Sequence, residues 1–165
     1  MNNKRLDDFL HALDPSRGER LWYGGATLLG ALRGVSAEQA AYKPHGECNG
    51  IWQIVLHCAY AKCVVRCKLQ DRNLRGEFPR RGGYWPPLPA TISDQSWSAD
   101  RDLLSQEHEH LIRAVEEFDP ARLDRKVAGS TRWTHADLLL GIVMHDTYHA
   151  GQIQIVKLMR DRGNP

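Results

Sequence analysis

The chain has 165 residues and a mass of 18.8 kDa, enough for one domain with its own core. Hydrophobic residues make up 42% and charged residues 25%, a composition that excludes an intrinsically disordered chain. With 22 Lys and Arg against 20 Asp and Glu, the formal charge is +2, too balanced for a phosphate-binding surface, so nucleic acid is not an expected partner.

The densest basic run, Arg72, Arg75, Arg80 and Arg81, falls in an expected loop and reads as solvated surface. Residues 1–14 are too charged for a signal peptide, and no apolar run approaches a membrane span. Cys48, Cys58, Cys63 and Cys67 form no CxxC pair, and three of them share one expected helix. That suits reduced thiols in a cytoplasmic protein better than a disulfide framework. The expectation is a single soluble domain over residues 1–165.

In chain order, a short helical segment spans Leu6 to Leu13 and stops at Asp14-Pro15. Ser16 followed by Glu19 reads as a capping box opening a first main helix that runs to about Arg33. Its apolar face is Leu21, Gly25, Leu28 and Leu32, and Gly34 supplies the stop. Ser36 to Tyr42 forms one or two turns before Lys43-Pro44. A second helix starts at Asn49-Gly50 and continues to about Asp71. Arg72 to Ser96 is rich in proline and glycine, yet Phe78, Tyr84, Trp85 and Leu88 make it too apolar for a flexible linker, so it is expected to pack on the helices. Ser98 is the expected cap of a third helix ending near Phe118, with Pro120 beyond it. Thr134 and Asp137 form another capping box, opening a fourth helix to about Arg160. Four long amphipathic helices and almost no period-two alternation predict an all-α, up-down four-helix bundle.

On the fourth helix His145 and His149 lie about 40° apart, on the face that carries Leu138, Ile142, Gln152 and Val156. Two inward imidazoles at i and i+4 can hold one metal from consecutive turns, although the spacing alone is common. His57 shares a face of the second helix with Gly50, Gln53, Ile54, Ala61 and Val64, again the side expected to meet the core. Any one of the three alone reads as a hydrogen-bonded core histidine; three converging read as a metal site. His108 falls on the apolar face of the third helix, either as a fourth inward group or as a half-buried residue among Glu107, Glu109 and His110. Cys63 and Cys67 lie well over 100° around the helix from His57 and are not co-ligands, and Cys58 reads as a small buried hydrophobe. Trp52, Trp97, Trp133 and Tyr148 are expected to pack in the core.

The stretch Gly141-Ile-Val-Met-His-Asp-Thr-Tyr-His-Ala-Gly-Gln-Ile153 closely resembles the last-helix signature of the DinB/YfiT-like superfamily. Asn49-Gly-Ile-Trp-Gln-Ile-Val-Leu-His57 resembles its second-helix signature, and the likeness extends from about Leu21 to Leu158. The resemblance implies a four-helix bundle whose His57, His145 and His149 bind one divalent transition metal, nickel or zinc, and it implies homodimers. Characterised relatives include bacillithiol and mycothiol transferases and a mycothiol-dependent isomerase. By themselves, three imidazoles suit zinc, nickel, copper and iron alike.

Three neutral imidazoles leave open positions for substrate, as in a catalytic rather than a structural site. Two reactions follow: transfer of a low-molecular-weight thiol to an electrophile, and hydrolysis by an acidified water. Hydrolysis wants a carboxylate base, and Asp146 points about 100° away from His145. Gln53, Gln152 and Tyr148 are candidates to orient a ligand or to support the histidines from behind. The reading is thiol transfer, with a metal-dependent hydrolase or a non-catalytic metal- or small-molecule-binding protein as the alternatives.

Overall fold

A computed structural model of the chain describes residues 3–15, 25–44 and 48–163, with side chains to residue 160. The described elements are all helical: α1 (Lys4–Leu13), α2 (Leu28–Ala31), α3 (Ala37–Ala41), α4 (Ile51–Leu69), α5 (Asp94–Glu116), a 3₁₀ turn at Pro120–Arg122, and α6 (His135–Gly163). The nearest approach to a sheet is one isolated antiparallel bridge between Lys126 and Thr134. No helix among the described residues is long and apolar enough to cross a membrane.

Helix α4 lies at the centre. It is buried on almost every side, with only Gln53, Tyr60, Val64 and Lys68 reaching the surface. A helix covered all round has no polar face to speak of, which corrects the expectation of four amphipathic helices. Its two charged interior residues carry partners. Lys62 donates to the Asp146 carboxylate on α6, and Arg66 donates to Glu107 on α5 at 3.2 Å and to Glu77 at 3.2 Å. Such pairing is what lets a charge stay inside.

Two apolar clusters fill the interior. One gathers Leu28, Val35, Trp52, Leu56, Trp97, Leu104 and Ile153; the other gathers Leu6, Val65, Leu111, Val115, Leu123 and Ile142. The Trp52 and Trp97 rings meet at 5.1 Å, as expected for core residues, and each indole satisfies its N–H. Trp52 donates to Asp100 at 2.8 Å and Trp97 donates to the Val35 carbonyl at 2.8 Å.

The capping chemistry departs from the sequence expectation at two places. The Ser16–Glu19 box lies outside the described residues. Downstream of it no continuous helix runs to Arg33: the 25–27 stretch is non-helical, and Thr27 caps the short α2 by accepting from the Gly30 N–H at 3.0 Å. Helix α5 begins at Asp94 rather than near Ser98, because Ser93 accepts from the Ser96 N–H at 3.1 Å while Ser96 returns the bond to Ser93. A Ser–Ser box lacks the Glu or Gln that makes the pattern legible in sequence. The Thr134–Asp137 box stands where it is expected, with Asp137 accepting from the Thr134 N–H at 2.7 Å.

At the start of α4, Gly50 donates its N–H to the Gln53 side chain at 3.2 Å and packs directly under the Tyr42 carbonyl, where a Cβ would collide with that oxygen. Gly50→Ala is expected to lower stability by about 1–3 kcal/mol, read as a lower denaturant midpoint at unchanged slope.

Candidate metal centre

Helices α4 and α6 bring His57, His145 and His149 together, with one ligand-capable nitrogen from each lying within 4.8 Å of the others. The ring centroids are 4.8 Å apart for His57–His145, 4.8 Å for His57–His149 and 4.3 Å for His145–His149. His57 and His149 are buried and His145 is half-buried. Among the described residues no Asp, Glu or Cys joins the group. His108 does not join it, and Glu107 is engaged by Arg66 and, at 3.7 Å, by His110.

Supporting contacts aim the rings. The His57 Nδ1–H donates to the Tyr84 carbonyl at 2.7 Å, which leaves its Nε2 with a free lone pair. The His149 Nδ1–H donates to the Gln152 side-chain carbonyl at 2.7 Å, with the same result, and Gln152 in turn donates to the Tyr148 hydroxyl at 3.2 Å. This is the arrangement by which a second layer fixes the tautomer of a metal-binding histidine. Gln53 sits one turn before His57, and its side-chain carbonyl serves the α4 cap.

The donor set fits a divalent transition metal. His57 Nε2 and His145 Nε2 face each other at 2.9 Å, and the buried His145 Nδ1 has no protein partner. Nitrogens at about 2.0–2.1 Å from a tetrahedral ion stand roughly 3.3 Å apart, a spacing that the observed 2.9–4.8 Å range brackets. All three imidazoles are held neutral. Burial lowers His57 against the opposing pull of its bond to Tyr84, and burial lowers His149 against its bond to Gln152. Burial, then the neighbouring His149, His57 and Lys62, bring His145 down to about 3. Neutral imidazole is the form that binds metal.

The segment between α4 and α5 covers one side of the centre. The Trp85 ring stacks on His57 at 4.0 Å and 7°, and Tyr84 packs edge-on against Tyr60 at 5.0 Å. This confirms an ordered excursion that packs on the helices. Arg80 anchors it by donating to Asp100 at 2.8 Å, so Arg80 is not solvated like Arg72, Arg75 and Arg81. Tyr84, Trp85 and Tyr148 are 54%, 45% and 62% exposed, so an aromatic rim stands where the centre meets solvent. Tyr148, at 4.9 Å from the His149 ring, is therefore a surface residue and not core packing. Trp133 is likewise 52% exposed, under the Arg132 guanidinium.

Three of the four thiols are inert, and a surface hollow of the chain lies away from the histidines. Burial raises Cys58 and Cys67, and burial with the Glu107 charge pushes Cys63 up to about 12, so these three stay protonated. A surface hollow of about 580 Å³ beside Glu38, Asp94 and Arg160 shares no residue with the three histidines.

The model of the DinB superfamily matches residues 23–153, which includes all three histidines. The chain belongs to the DinB superfamily. No curated protein and no solved structure matches it. The Tyr84 carbonyl on His57 is the functional contact that sequence reasoning missed; a backbone acceptor leaves no residue-type signal, and only the aromatic content of the loop hinted at it.

Proposed function

We propose that this DinB-superfamily chain is an up-down four-helix bundle holding one nickel or zinc ion through His57, His145 and His149, and that it transfers a low-molecular-weight thiol to an electrophile. The observation that carries the reading is the convergence of three neutral imidazoles with no carboxylate beside them among the described residues. When bound, such an ion acidifies a thiol that reaches it and so supplies the nucleophile at neutral pH. The sulfur forms a bond to the electrophilic carbon, the leaving group departs with the bonding pair, and the thiol proton passes to solvent.

The protein's own residues orient and enclose. The Tyr84 carbonyl and Gln152 hold His57 and His149 in the tautomer with Nε2 free. Trp85, Tyr84 and Tyr148 offer apolar faces against which the carbon skeleton of an electrophile can rest. Hydrolysis is less well supported, because Asp146, the carboxylate next in sequence to His145, is bound to Lys62. The buried state of Cys58, Cys63 and Cys67 favours a thiol brought in from outside over one supplied by these residues.

The test is elemental analysis of protein purified without an affinity tag, followed by turnover with a cysteine-based thiol and an alkyl halide. Near one metal per chain, with conjugate formation that stops on chelation, is the expected result. Metal without turnover would favour a non-catalytic binding protein. No metal at purification or on titration would leave three polar core residues and refute the proposal.

A further inference from the structure

The three histidines come from α4 and α6, yet the proton on one of them is held by a segment fastened to α5. The chain from Phe78 to Leu88, between α4 and α5, is tied down at both flanks. Phe78 packs on the first apolar cluster and meets the Tyr60 ring edge-on at 5.2 Å, and Leu88 packs on the same cluster. Between them Arg80 donates to Asp100 on α5 at 2.8 Å. The Asp100 side chain is 8% exposed, and the same carboxylate oxygen accepts from the Trp52 indole at 2.8 Å. A carboxylate in that place needs a cation beside it, and Arg80 supplies one.

Beyond this latch the backbone folds back on itself. Gly82 (φ +108°) lies under the turn at Trp85–Pro87, where a Cβ would stand 2.9 Å from the Pro87 ring and 3.0 Å from the Pro86 Cα. Gly83 (φ +63°) has open space around it and contributes its backbone conformation alone. The folded turn presents the Tyr84 carbonyl to His57 Nδ1 at 2.7 Å and lays the Trp85 ring flat on the imidazole at 4.0 Å. A carbonyl has no proton to give, so this bond exists only while His57 carries its proton on Nδ1 and leaves Nε2 bare. Nε2 is the atom that faces His145 Nε2 at 2.9 Å.

We propose that Arg80 and Gly82 are positioning residues for His57: the Arg80–Asp100 latch and the Gly82 turn hold the Tyr84 carbonyl where it fixes the imidazole proton on Nδ1. Helix α5 thereby takes part in the three-histidine group, although it supplies no ligand to it. Both tautomers of the ring are neutral, so the device selects the place of a proton and changes no charge. Its effect on the proton belongs to the metal-free chain, whereas its effect on metal affinity rests on the metal site proposed above.

Nitrogen-15 NMR of the metal-free full chain at neutral pH locates the proton, because protonated and bare ring nitrogens resonate far apart. In the wild type His57 is expected to carry it on Nδ1. Arg80→Leu and Gly82→Ala are each expected to leave His57 as a mixture of the two tautomers. His149, held by Gln152 rather than by this segment, is expected to keep its own proton on Nδ1 and so reports that the fold is intact. Arg80→Lys, which restores a cation for the single bond to Asp100, is expected to return the wild-type pattern, and Arg81→Leu, exposed on the same segment, to match it. Titration with zinc gives the second readout: Arg80→Leu and Gly82→Ala are expected to bind about 10-fold or more weakly. A wild type that takes up no zinc would sink the metal site and leave the proton test standing. A His57 proton that stays on Nδ1 in both Arg80→Leu and Gly82→Ala, a wild type that carries it on Nε2, or an Arg80→Lys chain that behaves like Arg80→Leu would each overturn the proposal.

Discussion

Lys62→Met is expected to cost about 3–5 kcal/mol of stability, among the largest losses any single side chain of this protein can produce. The Lys62 side chain is 0% exposed and the Asp146 side chain 14% exposed, and the two meet as an ion pair that links α4 to α6. Removing the ammonium leaves a carboxylate in a place where burial already raises the Asp146 pKa against the attraction of Lys62. Its second oxygen has no protein partner, so nothing else compensates the charge. Urea unfolding should show a lower midpoint with little change in slope. The pair itself contributes far less than its breakage costs. Lys62→Met combined with Asp146→Leu is expected to recover most of the loss, since an apolar pair of similar volume replaces a buried ion pair at little net cost. A Lys62→Met midpoint equal to the wild type would mean that water reaches the pair.

This pair also explains how the three histidines are held in register. Lys62 lies five residues after His57 on α4, and Asp146 follows His145 on α6. The contact ties together the two helices that supply the three imidazoles, just beside the place where they converge. Its structural role fits the direction of Asp146, which the helical period already places away from the centre.

What could be read from sequence follows the same logic. The three histidines were legible because each lies on a helix of regular period, and period alone decides which residues share a face. Helix α4 limits that reasoning: its period does not say that neighbours on every side bury Lys62 and Arg66, and only tertiary structure supplies Asp146, Glu107 and Glu77. The reverse error falls on α6. Tyr148 is apolar enough to suggest core, yet the face it occupies, with Met144 and Ile155, is turned to solvent. Composition marks an apolar face without saying whether the same chain covers it. The Ser93–Ser96 cap was hidden because serine returns the bond that glutamate usually makes.

His57→Ala and His149→Ala are each expected to lose the bound metal while keeping the fold. The two variants test different helices: His57 comes from α4 and His149 from α6. A common loss of metal means one shared ion, whereas loss in one variant alone means that the other histidine is a core residue. The fold is expected to survive because the main apolar clusters, around Trp52, Leu104 and Ile153 and around Leu111, Leu139 and Ile142, are built without the imidazoles. Each truncation also removes a ring that burial holds neutral, so no charge is left stranded inside. The cost is a cavity and one unmet acceptor, the Tyr84 carbonyl for His57 and the Gln152 side-chain carbonyl for His149. Lost contacts of this kind run to about 1–3 kcal/mol. Elemental analysis of untagged protein gives the first readout and denaturant unfolding the second. A variant without metal that also unfolds without cooperativity would make the ion a structural staple, and the open positions that thiol transfer needs would then have to be sought elsewhere.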